Sequence, residues 1–165
     1  MTKFKGKWAK GEATMILQKV RDYLNQQHIS YETIQHAPAY TAQEIAAIAH
    51  IHGKELAKTV IVKVDGKLVM VLEPAHLKVN LARLQEQLSA KKVELASERD
   101  FKGRFPECEL GAMPPFGNLY DMDVYIDKTL TDGKEIAFNG GTHAELIKMS
   151  YRDFERLVHP KMVVH

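Results

Sequence analysis

Apolar residues first recur at a helical period near the start of the chain. Met15, Ile16, Leu17, Val20, Tyr23 and Leu24 fall on one face, which predicts an amphipathic helix over Thr14–Gln27. Ile29–Ile34 alternates apolar with polar, the pattern of a strand with one buried face. Thr41 stands three residues ahead of Glu44 before an apolar run, and this capping-box spacing predicts a helix through Ala49. Ala57–Val64 and Lys67–Leu72 flank Asp65-Gly66, a pair suited to the left-handed backbone of a tight hairpin. Both arms are rich in Val, Leu, Ile and Met, which places them at the centre of a sheet. Glu73-Pro74-Ala75-His76 breaks that pattern.

Further on, the spacing predicts a helix over Leu81–Leu88, a strand at Lys92–Leu95 and a short helix Glu98–Lys102 capped by Ser97. Gly103–Gly117 carries three of the six prolines and three of the ten glycines, a density that excludes helix and interior strand. It is expected to be a structured loop. Tyr120–Ile126 reads as a strand, and Lys134–Phe138 and Ala144–Lys148 as a further pair joined by Gly140-Gly141-Thr142-His143. Ser150 caps a closing helix, Tyr151–Val158, which Pro160 ends. These elements describe a single α+β domain over residues 13–165, with about six to seven strands and helices packed around them. Residues 1–12 (MTKFKGKWAKGE) are polar, basic and aperiodic, and read as a loosely held, flexible tail.

Composition adds mainly exclusions. A chain of 165 residues can bury a substantial core as one domain. The longest apolar runs are far too short to span a bilayer, and no secretory signal follows the basic N-terminus, so no membrane partner is expected. A single cysteine, Cys108, fits a reducing compartment, and a cytoplasmic location follows. The net charge of +2 argues against extended contact with nucleic acid, DNA included, but allows a partner that presents only the end of an RNA. With one cysteine and scattered histidines, no zinc cage, metal site or other cofactor is expected. Phosphate-binding, dinucleotide-binding and nucleophile-elbow motifs do not occur.

Three features remain that could carry chemistry. Lys58 begins a strongly apolar strand and either reaches solvent or points into a cleft. Gly111-Ala112-Met113-Pro114-Pro115-Phe116-Gly117 fixes backbone direction and lets main-chain N–H groups approach a ligand; equally, it serves as a rigid turn. Asn139-Gly140-Gly141-Thr142-His143 is a second glycine turn, open to the same two readings.

Taken in order, these features resemble the YbaK/EbsC family, which comprises the bacterial prolyl-tRNA synthetase editing domain and its free-standing relatives. Lys58 matches the family lysine, Gly111, Pro115, Phe116 and Gly117 match its Pro-Phe-Gly loop, and Gly141 and Ile147 match its third motif. The resemblance implies a mixed, barrel-like central sheet. It also implies a free-standing (trans) editing hydrolase that cleaves the ester of a mischarged aminoacyl-tRNA, with tRNA(Pro) carrying a small wrong amino acid as substrate. The alternative is a non-catalytic tRNA- or synthetase-binding module of the same fold. The partners implied are the aminoacyl-tRNA acceptor end and prolyl-tRNA synthetase. On this reading Lys58, Gly111 and Gly141 are catalytic. Tyr31, Thr59, Met113, Pro115, Phe116, Gly117, Thr142 and His143 contact substrate. The branch that clears alanine carries Asn directly after the lysine, where this chain has Thr59, closer to the cysteine-clearing type; the amino acid stays open.

Overall fold

A computed structural model describes residues 3–5, 17–35, 44, 47, 51 and 54–164, with residues 3–5 described as backbone. The strands are β1 (Lys3–Lys5), β2 (Tyr31–Gln35), β3 (Ala57–Val64), β4 (Lys67–Pro74), β5 (Val93–Leu95), β6 (Val124–Asp127), β7 (Glu135–Asn139), β8 (Glu145–Ser150) and β9 (Lys161–Val163). The helices are α1 (Gln18–Gln26), α2 (Leu81–Leu88), α3 (Glu98–Phe101), α4 (Lys128–Thr131) and α5 (Tyr151–Val158). The helix expected to run through Ala49 lies outside the described residues, apart from Glu44 and Ala47, which are helical.

The strands divide between two sheets, where the sequence suggested one barrel-like sheet. One is antiparallel in the order β1-β2-β8-β7; the other is mixed, in the order β5-β3-β4-β6-β9. Among the described residues they meet at a single parallel bridge, Leu56 to Ala137, reinforced by the Ala137 N–H donating to the Glu55 carbonyl at 2.9 Å. The barrel is therefore not closed. A strand-pair seam of one bridge leaves β3 and β7 to diverge beyond it.

Local chemistry accounts for most elements. Asp65 and Gly66 both adopt positive φ (49° and 85°), so the β3–β4 turn closes in two residues. Ser97 and Asp100 form a reciprocal capping box on α3, and the Ser150 hydroxyl accepts from the Asp153 N–H to start α5. Strand β4 runs through Pro74, past the expected end, because its partner Ala57 is the last residue of the ladder there. Strand β6 starts later than alternation suggests: the Gly117 carbonyl accepts from both Tyr120 and Met122 N–H groups at 2.9 Å, which curls that stretch into a turn. Lys3–Lys5, within the stretch read as a tail, pairs with β2 at the edge of the first sheet.

The main core fills the space between the inner faces of the sheets. Tyr31, Ile136, Phe138, Ile147 and Met149 meet Ala57, Ile61, Met70, Leu72, Val124 and Ile126, with Val20 and Leu24 of α1 and Phe154 of α5 closing the ends. The opposite face of the second sheet carries Val62, Val69 and Val71, covered by Leu84 of α2. A smaller cluster of Ile34, Leu56, Ala137 and Leu146 lies behind the seam.

Candidate functional site

The seam sets the level of the two strands that lead to the site. Because Leu56 and Ala137 pair in parallel, β3 and β7 leave the bridge in the same direction. Two residues on, at about 3.3 Å per residue, Lys58 stands level with Asn139, and the Gly140–His143 turn follows immediately. Side chains alternate along each strand, so Leu56 and Lys58 share a face with Ala137 and Asn139. Beyond the bridge, the lysine is thus on one strand and the glycine turn follows the other.

Lys58 is half-buried and pairs across the hairpin with Glu73, which is buried. Burial lowers the lysine pKa from its ordinary value; Glu73 opposes that shift and the nearby Lys78 adds to it. The Asn139 side-chain oxygen is buried and, among the described residues, accepts no hydrogen bond. A buried carbonyl of this kind costs about 1–3 kcal/mol unless a ligand or water satisfies it.

The two glycine segments are tied into one knot. The Glu109 N–H donates to the Gly141 carbonyl at 2.8 Å, while the Glu109 carboxylate accepts from the His143 N–H at 2.9 Å. The His143 Nε2 lies 2.7 Å from the Leu110 carbonyl oxygen, and since a carbonyl only accepts, the bond requires the proton on Nε2. Gly111 adopts φ 84°, and a Cβ there would lie 3.6 Å from the His143 ring. Gly141 adopts φ 114°, and its Cβ would press to 2.7 Å from Leu17 Cγ, at the start of α1. The Leu17 N–H in turn donates to the Gly140 carbonyl at 3.0 Å, so α1 is anchored on the turn.

His143 is therefore a fastener within the knot. The Thr142 hydroxyl accepts from the Ala144 N–H. The N–H groups of Gly140, Ala112, His143 and Ala144 are spent on internal bonds. Among the described residues, no internal acceptor takes the N–H of Gly111, Gly141 or Thr142. Of the three, Gly111 is exposed, Thr142 half-buried and Gly141 buried.

The expected pocket wall is mostly core. Phe116 is fully buried, with its ring 6.0 Å from Tyr23, 5.4 Å from Phe138 and 5.8 Å from Phe154. Met113, Pro115, Gly117 and Tyr31 are buried as well. A Cβ on Gly117 would run into the Met122 carbonyl and the Val124 side chain, so that glycine answers to packing. Thr59 is buried on the face of Ala57 and Ile61, whereas Lys58 points to the other side. The structure thus gathers Gly111, Gly141, Thr142 and His143, sets Lys58 two residues beyond the seam on β3, level with Asn139, and buries Phe116 and its neighbours.

Sequence reasoning passed over Glu109 and Glu73, and gave Asn139 no role beyond its place at the start of the glycine turn. Glu109 sits inside the loop already singled out, but nothing local announces that its carboxylate reaches a turn 34 residues further on. The Cys108 thiol, pushed up by burial despite a hydrogen bond to Tyr120, is unsuited to act as a nucleophile. No group of three His, Cys, Asp or Glu among the described residues is placed to hold a metal. No helix among them is long and apolar enough to cross a membrane.

Two sheets joined at one seam, with a half-buried lysine on one strand beside it and a knot of glycine turns after the other, define an α+β domain. Residues 36–157 match the family model described as the aminoacyl-tRNA editing domain, and the chain belongs to that family. It is 28% identical over 142 residues to the prolyl-tRNA editing protein ProX of Acetoanaerobium sticklandii, an alignment that takes in 82% of this chain and 85% of that one. It is also 33% identical over 85 residues to a proline–tRNA ligase of Bacillus mycoides, covering 52% of this chain and 15% of the ligase. Among solved structures, that of a proposed trans-editing enzyme for prolyl-tRNA synthetase superposes with a TM-score of 0.76. That superposition spans 89% of this chain and 94% of the other, at 16% identity, and speaks for the fold.

Proposed function

We propose that this protein is a free-standing deacylase acting in the cytoplasm on mischarged aminoacyl-tRNA, with tRNA(Pro) bearing a small wrong amino acid as its substrate. Water adds to the ester carbonyl, the bond to the terminal ribose oxygen breaks, and the products are a free amino acid and a ribose hydroxyl. An aminoacyl ester is already activated by its neighbouring ammonium, so the site must mainly hold the ester and stabilise the oxyanion.

The observation that carries this reading is the glycine knot and its unspent N–H groups. Gly111, Gly141 and Thr142 offer the oxyanion donors, each worth roughly 2.7–4 kcal/mol where such donors have been removed from hydrolases. Their preorganisation comes from Glu109 and His143, which hold the turns before substrate arrives. Lys58 acts as a fixed cation for the terminal phosphate or ribose, and Glu73 behind it opposes loss of its proton. The attacking water is assisted by the substrate's own ribose hydroxyl; among the described residues of the knot, the His143 ring is already bonded to the Leu110 carbonyl. Acceptor-end docking, with prolyl-tRNA synthetase supplying further RNA affinity, suits a chain of net charge +2.

Release of amino acid from proline tRNA charged with alanine, cysteine, serine or threonine tests the reading. Release from at least one of these by the wild type, lost with Lys58→Ala, is the expected result. No release from any, with tRNA binding intact, would favour a binding module of the same fold.

A further inference from the structure

Beside the 103–117 loop lies a cavity of about 450 Å³ whose lining does not include Lys58. We propose that this cavity seats one unpaired nucleotide of an RNA 3′ end, its base among Phe101, Phe105 and Met113 and its phosphate against Arg99 and Lys102. The inference rests on the chain acting at the end of a charged RNA.

The size falls within the range of about 300–1,000 Å³ typical of small-molecule sites. Its apolar interior is preformed: the Phe101 and Phe105 rings meet edge to face at 6.0 Å, and Phe105 is held from behind by Tyr120 at 4.7 Å. Aromatic surfaces of this kind accept any base, because every base has a π-face. Leu110 at the rim is 55% exposed, a large apolar side chain left in water unless something covers it. Arg99 and Lys102 are exposed on the same rim, one helical turn apart, as a phosphate would need.

Two carboxylates also line the cavity. Glu109 is engaged by the His143 N–H, which leaves Glu98 to face the ligand. A carboxylate there accepts from the exocyclic amino group that adenine and cytosine carry and uracil lacks. The position is as informative as the composition. Leu110 lines the cavity while its carbonyl oxygen is held by the His143 ring, so the cavity and the glycine knot share one chain segment.

Fluorescence anisotropy with a 5′-labelled, uncharged C-C-A trinucleotide tests this without any hydrolysis. The wild type is expected to bind it. Arg99→Ala with Lys102→Ala should weaken binding about tenfold and flatten its salt dependence. Leu110→Glu should weaken it too, and U-U-U should bind less well than C-C-A. All three altered side chains are exposed, so the fold should tolerate their replacement. No binding by the wild type, equal binding by the double variant, or displacement of the label by a free amino-acid ester alone would overturn the proposal. A protein that binds C-C-A in this way yet releases no amino acid would instead sink the deacylase and leave the nucleotide site standing.

Discussion

Replacing Glu109 probes whether the glycine knot is a working part or a packing convenience. Its backbone bond to Gly141 survives in alanine, so Glu109→Ala removes only the carboxylate that accepts from the His143 N–H at 2.9 Å. A hydrogen bond to a charged group contributes about 1.5–3 kcal/mol when protected. Glu109 is exposed, and solvent screening reduces the expected loss of stability to about 1 kcal/mol. For a chain of this size that lowers Tm by roughly 2–4 °C. The kinetic effect should be larger than the stability effect implies. The His143 turn would lose the one bond that fixes its N–H, and a misplacement of about 1 Å at a reacting centre can cost up to 10²-fold. We expect kcat for deacylation to fall about tenfold, or about 1.4 kcal/mol in the barrier, with KM changing less. Glu109→Gln retains an acceptor oxygen at the same reach and should recover most of the loss. Single-turnover deacylation together with thermal unfolding would measure both quantities. If Glu109→Ala keeps wild-type kcat, or Glu109→Gln is as impaired as Glu109→Ala, the clasp does not position the site.

Four further outcomes follow from the same geometry. Gly141→Ala should destabilise by about 2–4 kcal/mol, because it adds a Cβ 2.7 Å from Leu17 Cγ at φ 114°; an unchanged denaturation midpoint would contradict that packing. Phe116→Ala should cost about 3–5 kcal/mol in chemical denaturation, with no change in which amino acid is released, since the ring lies in the core. Asn139→Leu removes a buried carbonyl oxygen without a partner among the described residues, so stability should hold or rise while deacylation falls; a variant at full activity would remove Asn139 from the site. Lys58 has a folded-state pKa below its unfolded one, chiefly through desolvation. Between those two values the unfolded chain binds more protons, so its contribution makes stability rise with pH there. Enzyme-dependent deacylation, corrected for spontaneous ester hydrolysis, should instead decline over that window as the cation is lost. A parallel rise of both would refute the cationic role.

How far the residues speak for themselves can be seen element by element. Asp65-Gly66 specified its hairpin because the left-handed backbone it needs is a property of those two residues. Ser97 and Ser150 marked helix starts because a cap bonds within three residues of itself. The Gly103–Gly117 loop was legible because proline and glycine forbid the alternatives wherever they stand. Each is a short-range effect, independent of the rest of the fold.

The remainder required the chain to close on itself. Strand β9 has no pattern strong enough to announce it and exists because β6 offers a free edge beside α2, where Gln87 fixes Val164 through two side-chain bonds. Alternation identified β3 and β7, yet only their parallel bridge at Leu56 and Ala137 put Lys58 level with Asn139. Phe116 stood in the middle of the most telling motif, and burial among three other aromatic rings gave it to the core. Sequence by itself determined the elements and the glycines that must bend, because those depend on neighbours along the chain. Which of those residues stand together at the candidate site was decided by tertiary structure alone, because it depends on contacts between segments, such as Glu109 with His143, that no local pattern encodes.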